Sequence, residues 1–298
     1  MPGYVDPKTL ERIKRLEVRA RLVVEGFITG RHRSPYHGLA VEFATHREYS
    51  PGDDLRHIDW KVWSRSDRLY IKEYEEETNL PCTLIVDASR SMQYGGQWRK
   101  FDHAATAAAS LAFLLLQQQD VVGLITFADR VLSNLPPSGH PQHFKQLVQA
   151  LEVAEVRGAT QLPSLLPAVV QQVRRRGLVV LFSDLFVPRQ VLHDTLRQFS
   201  ARKHEVILFH VLHADELSFP FAENVLFRGL EETTELLAEP RALRRSYLAA
   251  LEQYLLDVRT TCARAGIEYV LLNTSEPLDA ALGSFLTARQ RTRSVRHH

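Results

Sequence analysis

Cysteine is nearly absent from this 298-residue chain, Cys82 and Cys262 being its only two. Two thiols without CxxC spacing exclude a disulfide framework and point to a reduced compartment, with both as small core residues; the sequence leaves a single bridge between them open. Long apolar runs are also missing. No stretch reaches the ~20 consecutive apolar residues of a membrane span. The best candidate, Ala104 to Leu116, is flanked by Asp102 and by Gln117 to Asp120, and is expected as a core helix. Asp6, Lys8 and Glu11 precede any hydrophobic run, which argues against a secretory signal and for a cytoplasmic protein. No excess of one charge exists: a net +2 creates no global field for nucleic acid or a membrane surface. GxxxxGK followed by Ser or Thr, HExxH, GxSxG and GxGxxG are all missing, so P-loop nucleotide hydrolysis, zincin chemistry, a hydrolase elbow and a dinucleotide site lack their signatures.

What is present is an ordinary globular composition, 45% hydrophobic and 24% charged, in a chain long enough for one large or two modest domains. Residues 7–27 place Leu10, Ile13, Leu16, Ala20, Val23, Val24 and Phe27 at spacings of three and four, the pattern of an amphipathic helix packing on its own domain. Residues 38–72 read as short strand-like pieces around a loop in which Asp53, Asp54, Arg56, Asp59 and Trp60 crowd together. That loop is either an internal lock or a docking surface for a partner, with Arg56 suited to bind a carboxylate in bidentate fashion and Trp60 to anchor the loop. Glu73, Glu75, Glu76 and Glu77 read as a solvated strand edge.

From Pro81 onward apolar runs alternate with helical periodicity. Such alternation predicts an α/β fold with a mostly parallel central sheet covered by helices on both faces. Residues 213–240 interrupt it as an acidic insertion. The expected organisation is a helix and β-rich segment over 1–80, the α/β domain over 81–290 and a basic tail over 291–298.

The chemistry concentrates at Asp87-Ala-Ser-Arg-Ser91, a DxSxS pattern directly after the apolar run 84–86. Asp and Ser at such a place commonly bond their own backbone in a turn. They also offer oxygen, the ligand type a hard cation prefers, at a strand end where open α/β sheets place their sites. Asp184 follows a second apolar run, 178–182, and Thr160 sits behind Gly158 just before a helix. Two Asp, two Ser and one Thr arriving from three loops at one sheet edge would make an oxygen-donor metal site.

These motifs resemble a von Willebrand factor A-type domain, whose metal-ion-dependent adhesion site they match at Asp87, Ser89, Ser91, Thr160 and Asp184. Further segments, Gly38-Leu-Ala-Val-Glu-Phe43, Arg47 to Trp60 with its Pro-Gly-Asp-Asp and Ile-Asp-Trp elements, and Val86 to Met92, resemble in this order the bacterial family called domain of unknown function 58. The resemblance implies bound Mg²⁺ or Mn²⁺ and a non-enzymatic adaptor role beside a MoxR-type AAA+ ATPase, with a partner carboxylate completing the coordination. The alternative is a metal-assisted hydrolase or phosphotransferase, for which no His or Glu lies near the motif in sequence to act as general base, although His210 and His213 on the later strand could approach the sheet edge. Nucleic-acid binding through Arg174 to Arg176, Arg241, Arg244, Arg245 and the basic tail lacks interleaved aromatics and is not expected.

Overall fold

Short apolar runs covered from both sides are what a helix-flanked parallel sheet requires of its strands, and the chain supplies them at regular intervals. The computed structural model describes residues 15–31, 46–48, 70–72, 81–154, 162–221, 225–228, 235–238, 240–278 and 282–283. In chain order these form α1 (Leu16–Arg31), β1 (His46–Glu48), β2 (Tyr70–Lys72), β3 (Cys82–Asp87), a 3-10 turn (Arg90–Gln93), α2 (Lys100–Gln117), β4 (Val122–Phe127) and β5 (Val131–Ser138). There follow α3 (His143–Glu152), α4 (Leu162–Gln172), β6 (Leu178–Ser183), α5 (Arg189–Ala201), β7 (Glu205–Leu212), α6 (Ala214–Ser218), β8 (Val225–Arg228), β9 (Glu235–Ala238), α7 (Pro240–Arg264) and β10 (Glu268–Asn273).

The chain divides into two compact units, one of Met1–Arg31 with Leu80–His298 and one of His32–Asn79. In the second, β1 and β2 pair antiparallel with His46 opposite Lys72. Asp53, Asp54, Arg56, Asp59, Trp60 and the acidic run 73–77 lie outside the described residues. In the first unit six strands stand in the order β10-β7-β6-β3-β4-β5. Five run parallel, and only β5 turns back antiparallel on β4. Pro136 and Pro137 lie in β5, an edge strand among the described residues, where its register against β4 shifts between Val122 and Leu124.

Alternate residues of the strands serve two separate cores. Leu84, Val86, Val180, Phe182 and Phe209 pack under α1, α2 and α3, whereas Ile85, Ile125, Val179, Leu181 and Leu208 pack under α4, α5 and α7. The alanines of α2 are buried, letting that helix lie close on the sheet, as expected of Ala104 to Leu116. Leu16, Ala20, Val23 and Val24 of α1 lie in the first core. The unit boundaries therefore fall on either side of residues 32–79 rather than at residue 80 alone, because the apolar stripe of α1 is covered by the α/β unit. Cys82 and Cys262 are free thiols in different cores, which rules out a bridge between them. The acidic insertion carries the short helix α6 and the antiparallel pair β8–β9, structure that its charge-rich sequence did not announce.

Candidate functional site

β3 and β6 are neighbours although two strands separate them in sequence, because the strand order reverses between them. Ligands of open α/β sheets bind at such a switch point, beyond the carboxyl ends of the strands. Asp87 is the last residue of β3, Ser183 the last of β6, and Asp184 follows at once. Asp87, Ser89, Ser91, Ser183 and Asp184 are all buried there.

Each carboxylate divides its two oxygens in the same way. Asp87 Oδ1 accepts the Ser89 backbone N–H at 2.8 Å, and its Oδ2 accepts the Ser183 hydroxyl at 2.6 Å. Asp184 Oδ1 accepts the Phe186 backbone N–H at 3.3 Å, and its Oδ2 accepts the Lys100 ammonium at 2.8 Å. The local turn that Asp and Ser commonly make is thus present at both strand ends, and uses only one oxygen of each carboxylate. Ser89 Oγ and Ser91 Oγ stand 3.1 Å apart in the same cluster.

Burial, and next the charge of Asp184, push the Asp87 carboxyl up to about 7, with the bonds from Ser183 and Ser89 pulling the other way. Lys100 is itself buried, and it donates to Glu216 Oε1 of α6 at 2.8 Å as well as to Asp184. Burial opposes its charge most strongly, but the two carboxylates together outweigh burial and hold the ammonium above its ordinary range. Three carboxylates to one ammonium leave two negative charges unbalanced when all are ionised.

Residues 45–254, well over half of the chain, match a family model described as "Protein of unknown function DUF58". The chain belongs to that family. This DUF58 chain is 28% identical over 294 residues to the uncharacterized protein Rv1480 of Mycobacterium tuberculosis, covering 96% of this chain and 91% of that one. Similar solved structures include an aerotolerance-related membrane protein from Bacteroides fragilis, with 15% identity, 71% of this chain and 99% of that chain covered, and a TM-score of 0.47. The SpRpn10 VWA domain is similar with 14% identity, 68% and 93% coverage and a TM-score of 0.40.

Several residues of this DUF58 site carry no signal in the sequence. Lys100 and Glu216 read as ordinary helix-end polar residues, and Ser183 as the end of a strand. The apolar run 178–182 points to Asp184 and does not single out Ser183. Leu185, directly after Asp184, has φ 57°, the left-handed region that a leucine avoids. Its N–H is held by Ser183 Oγ at 3.0 Å and its carbonyl by the Tyr254 hydroxyl at 2.7 Å, and its side chain is buried in the second core. The turn it makes carries Phe186 outward, half-exposed, with its ring 4.9 Å from Lys100 Nζ.

His210 reaches the sheet edge but is committed elsewhere. Its Nε2 faces the Asp184 carbonyl at 3.0 Å, so that nitrogen donates, and Nδ1 accepts the Tyr269 hydroxyl at 2.9 Å. Burial lowers its pKa to about 4, which keeps it neutral. His213 caps α6, accepting the Asp215 N–H. Both nitrogens of His210 are thus engaged, and the cap occupies Nδ1 of His213. Thr160 lies outside the described residues, so its place in the site is not described. Among the described residues no three His, Cys, Asp or Glu side chains gather as metal ligands. A cation here would depend on Ser89 and Ser91 hydroxyls and on water beside Asp87 and Asp184, a donor set of oxygens alone that suits Mg²⁺ or Mn²⁺. The two unbalanced negative charges fit a divalent ion. Among the described residues no helix is long and apolar enough to cross a membrane.

Proposed function

We propose that this DUF58 protein is a cytoplasmic, non-enzymatic adaptor that binds a carboxylate-bearing protein partner through a divalent metal, Mg²⁺ or Mn²⁺. The observation that carries this reading is the burial of Asp87 and Asp184 together at the switch point, where loss of water and, next, their repulsion raise the Asp87 carboxyl. A divalent cation would relieve that repulsion. Asp87, Ser89, Ser91 and Asp184 would hold it, with Thr160 as the further ligand implied by the resemblance. When bound, the ion supplies a Lewis-acidic position that a partner Glu or Asp can complete.

The protein's own residues do the rest. The Ser89 N–H and the Ser183 hydroxyl fix the plane of the Asp87 carboxylate, so its orientation is set before any ligand arrives. Lys100 fixes Asp184 in the same manner. Burial of both keeps water from competing for the carboxylates. The family resemblance favours a MoxR-type AAA+ ATPase as the partner.

Titration of Mg²⁺ and Mn²⁺ into chelator-treated protein, followed by binding of a purified MoxR-type ATPase with and without metal, tests both halves. Saturable metal binding in the wild type, lost in a folded Asp87→Ala variant together with ATPase binding, is the expected result. A folded Asp87→Ala variant that retains both would remove the site assignment.

A further inference from the structure

Lys100 is the largest fully buried side chain among the described residues, and the adaptor reading uses it only to orient Asp184. Its position is unfavourable on every local ground. It is the first residue of α2, where the helix dipole repels a cation. Its ammonium has left water entirely, a loss that only close opposite charge offsets. The helix start does not need it, since Asp102 closes that end, accepting the Arg99 backbone N–H at 3.1 Å and the Arg99 guanidinium at 2.8 and 2.9 Å. What the position gives instead is reach to two carboxylates on different elements, Asp184 after β6 and Glu216 on α6, each at 2.8 Å. A lysine suits two partners, because its compact charge rides on a flexible stem with three rotatable donors.

We propose that Lys100 is a tethered counter-ion that competes with the divalent cation for Asp184, with Glu216 as the partner it keeps when the ion enters. The inference rests on the metal reading above and names the internal competitor for that site. It also ties the site to α6, because Glu216 uses its second oxygen to accept the His213 N–H that opens this helix, at 2.7 Å. Asp215, one residue away on α6, bonds the Tyr94 hydroxyl at 3.1 Å and so provides a control of equal charge.

The test is calorimetric titration of Mn²⁺ into the full chain and into Lys100→Met, Glu216→Gln and Asp215→Asn, with thermal unfolding of each with and without metal. Removing the competing charge should tighten Mn²⁺ binding of Lys100→Met at least about tenfold, because two like charges within a few ångströms repel strongly in a buried site. The same variant should unfold at lower temperature than wild type without metal and recover more on adding Mn²⁺. Glu216→Gln leaves Lys100 to Asp184 alone and should weaken binding about tenfold. Asp215→Asn, which removes a more exposed charge, should change it by less than about twofold. Binding of Lys100→Met no tighter than wild type, or equal losses in Glu216→Gln and Asp215→Asn, would overturn the proposal. If Lys100→Met does not fold, the comparison of the two α6 variants decides it. Wild-type binding with no difference among folded variants removes the counter-ion role and leaves the metal reading standing, whereas no binding in any protein removes both.

Discussion

Asp87 and Asp184 end neighbouring parallel strands, are equally buried, and each spends one oxygen on the backbone N–H two residues ahead. They differ in what meets the other oxygen. Asp87 meets the neutral hydroxyl of Ser183, while Asp184 meets the ammonium of Lys100. One carboxylate is therefore paired with an opposite charge and the other only hydrogen-bonded. The difference teaches that equivalent positions in a repeated strand–loop pattern can hold opposite electrostatic roles, set by residues far away in sequence.

Removing each carboxylate separately should expose this asymmetry. Asp184→Asn leaves Lys100 with only Glu216 and should cost about 3 kcal/mol in chemical denaturation without metal, the low end for breaking a buried pair. A loss below about 1 kcal/mol would mean that Glu216 alone satisfies the ammonium. Asp87→Asn should show the reverse balance, weakening Mn²⁺ binding by at least about a hundredfold in titration while leaving the metal-free fold as stable as wild type or more so. Ser183→Ala removes a hydrogen bond to Asp87 and also the acceptor of the Leu185 N–H, and should cost about 1.5 kcal/mol. Equal denaturation midpoints for Ser183→Ala and wild type would show that water replaces the hydroxyl.

A further contrast lies in the slope with pH. The folded chain holds a proton on Asp87 up to about 7, whereas the unfolded chain releases it near its ordinary pKa of ~4. Stability from this group is thus present at low pH and lost as pH rises from about 4 to about 7, at no more than ~1.4 kcal/mol per pH unit. His103 and His210, lowered by burial to about 3 and about 4, act with the opposite sign and are shared by both proteins, so they cancel in the difference. Metal-free denaturation of wild type and Asp87→Asn across that range should give diverging profiles, and parallel ones would contradict the raised carboxyl.

Much of the sheet was legible because its strands are apolar runs that stop at polar residues, and 82–87 and 178–183 stop at the two site positions. The parallel class followed from alternation with helices, and α2 from its alanine periodicity. The partners of the carboxylates were not legible. Lys100 lies 84 residues from Asp184 and 116 from Glu216 in sequence, and beside Arg99 it resembles a solvated basic pair. Only the fold shows that one faces Asp102 at the surface while the other turns inward. The insertion at 213–240 misled for a related reason: its acidic composition masked a short helix whose Glu216 completes the charge cluster.

The outermost strand sets a limit on how this protein meets others. Chains commonly recruit one another by laying an extra strand along an open sheet margin, through main-chain hydrogen bonds that ignore side-chain identity. Among the described residues β5 forms one margin of the sheet, and its adjacent Pro136 and Pro137 supply no N–H on either side of that strand. Growth from that side is interrupted, and recognition there falls to side chains, which discriminate where a bare backbone does not.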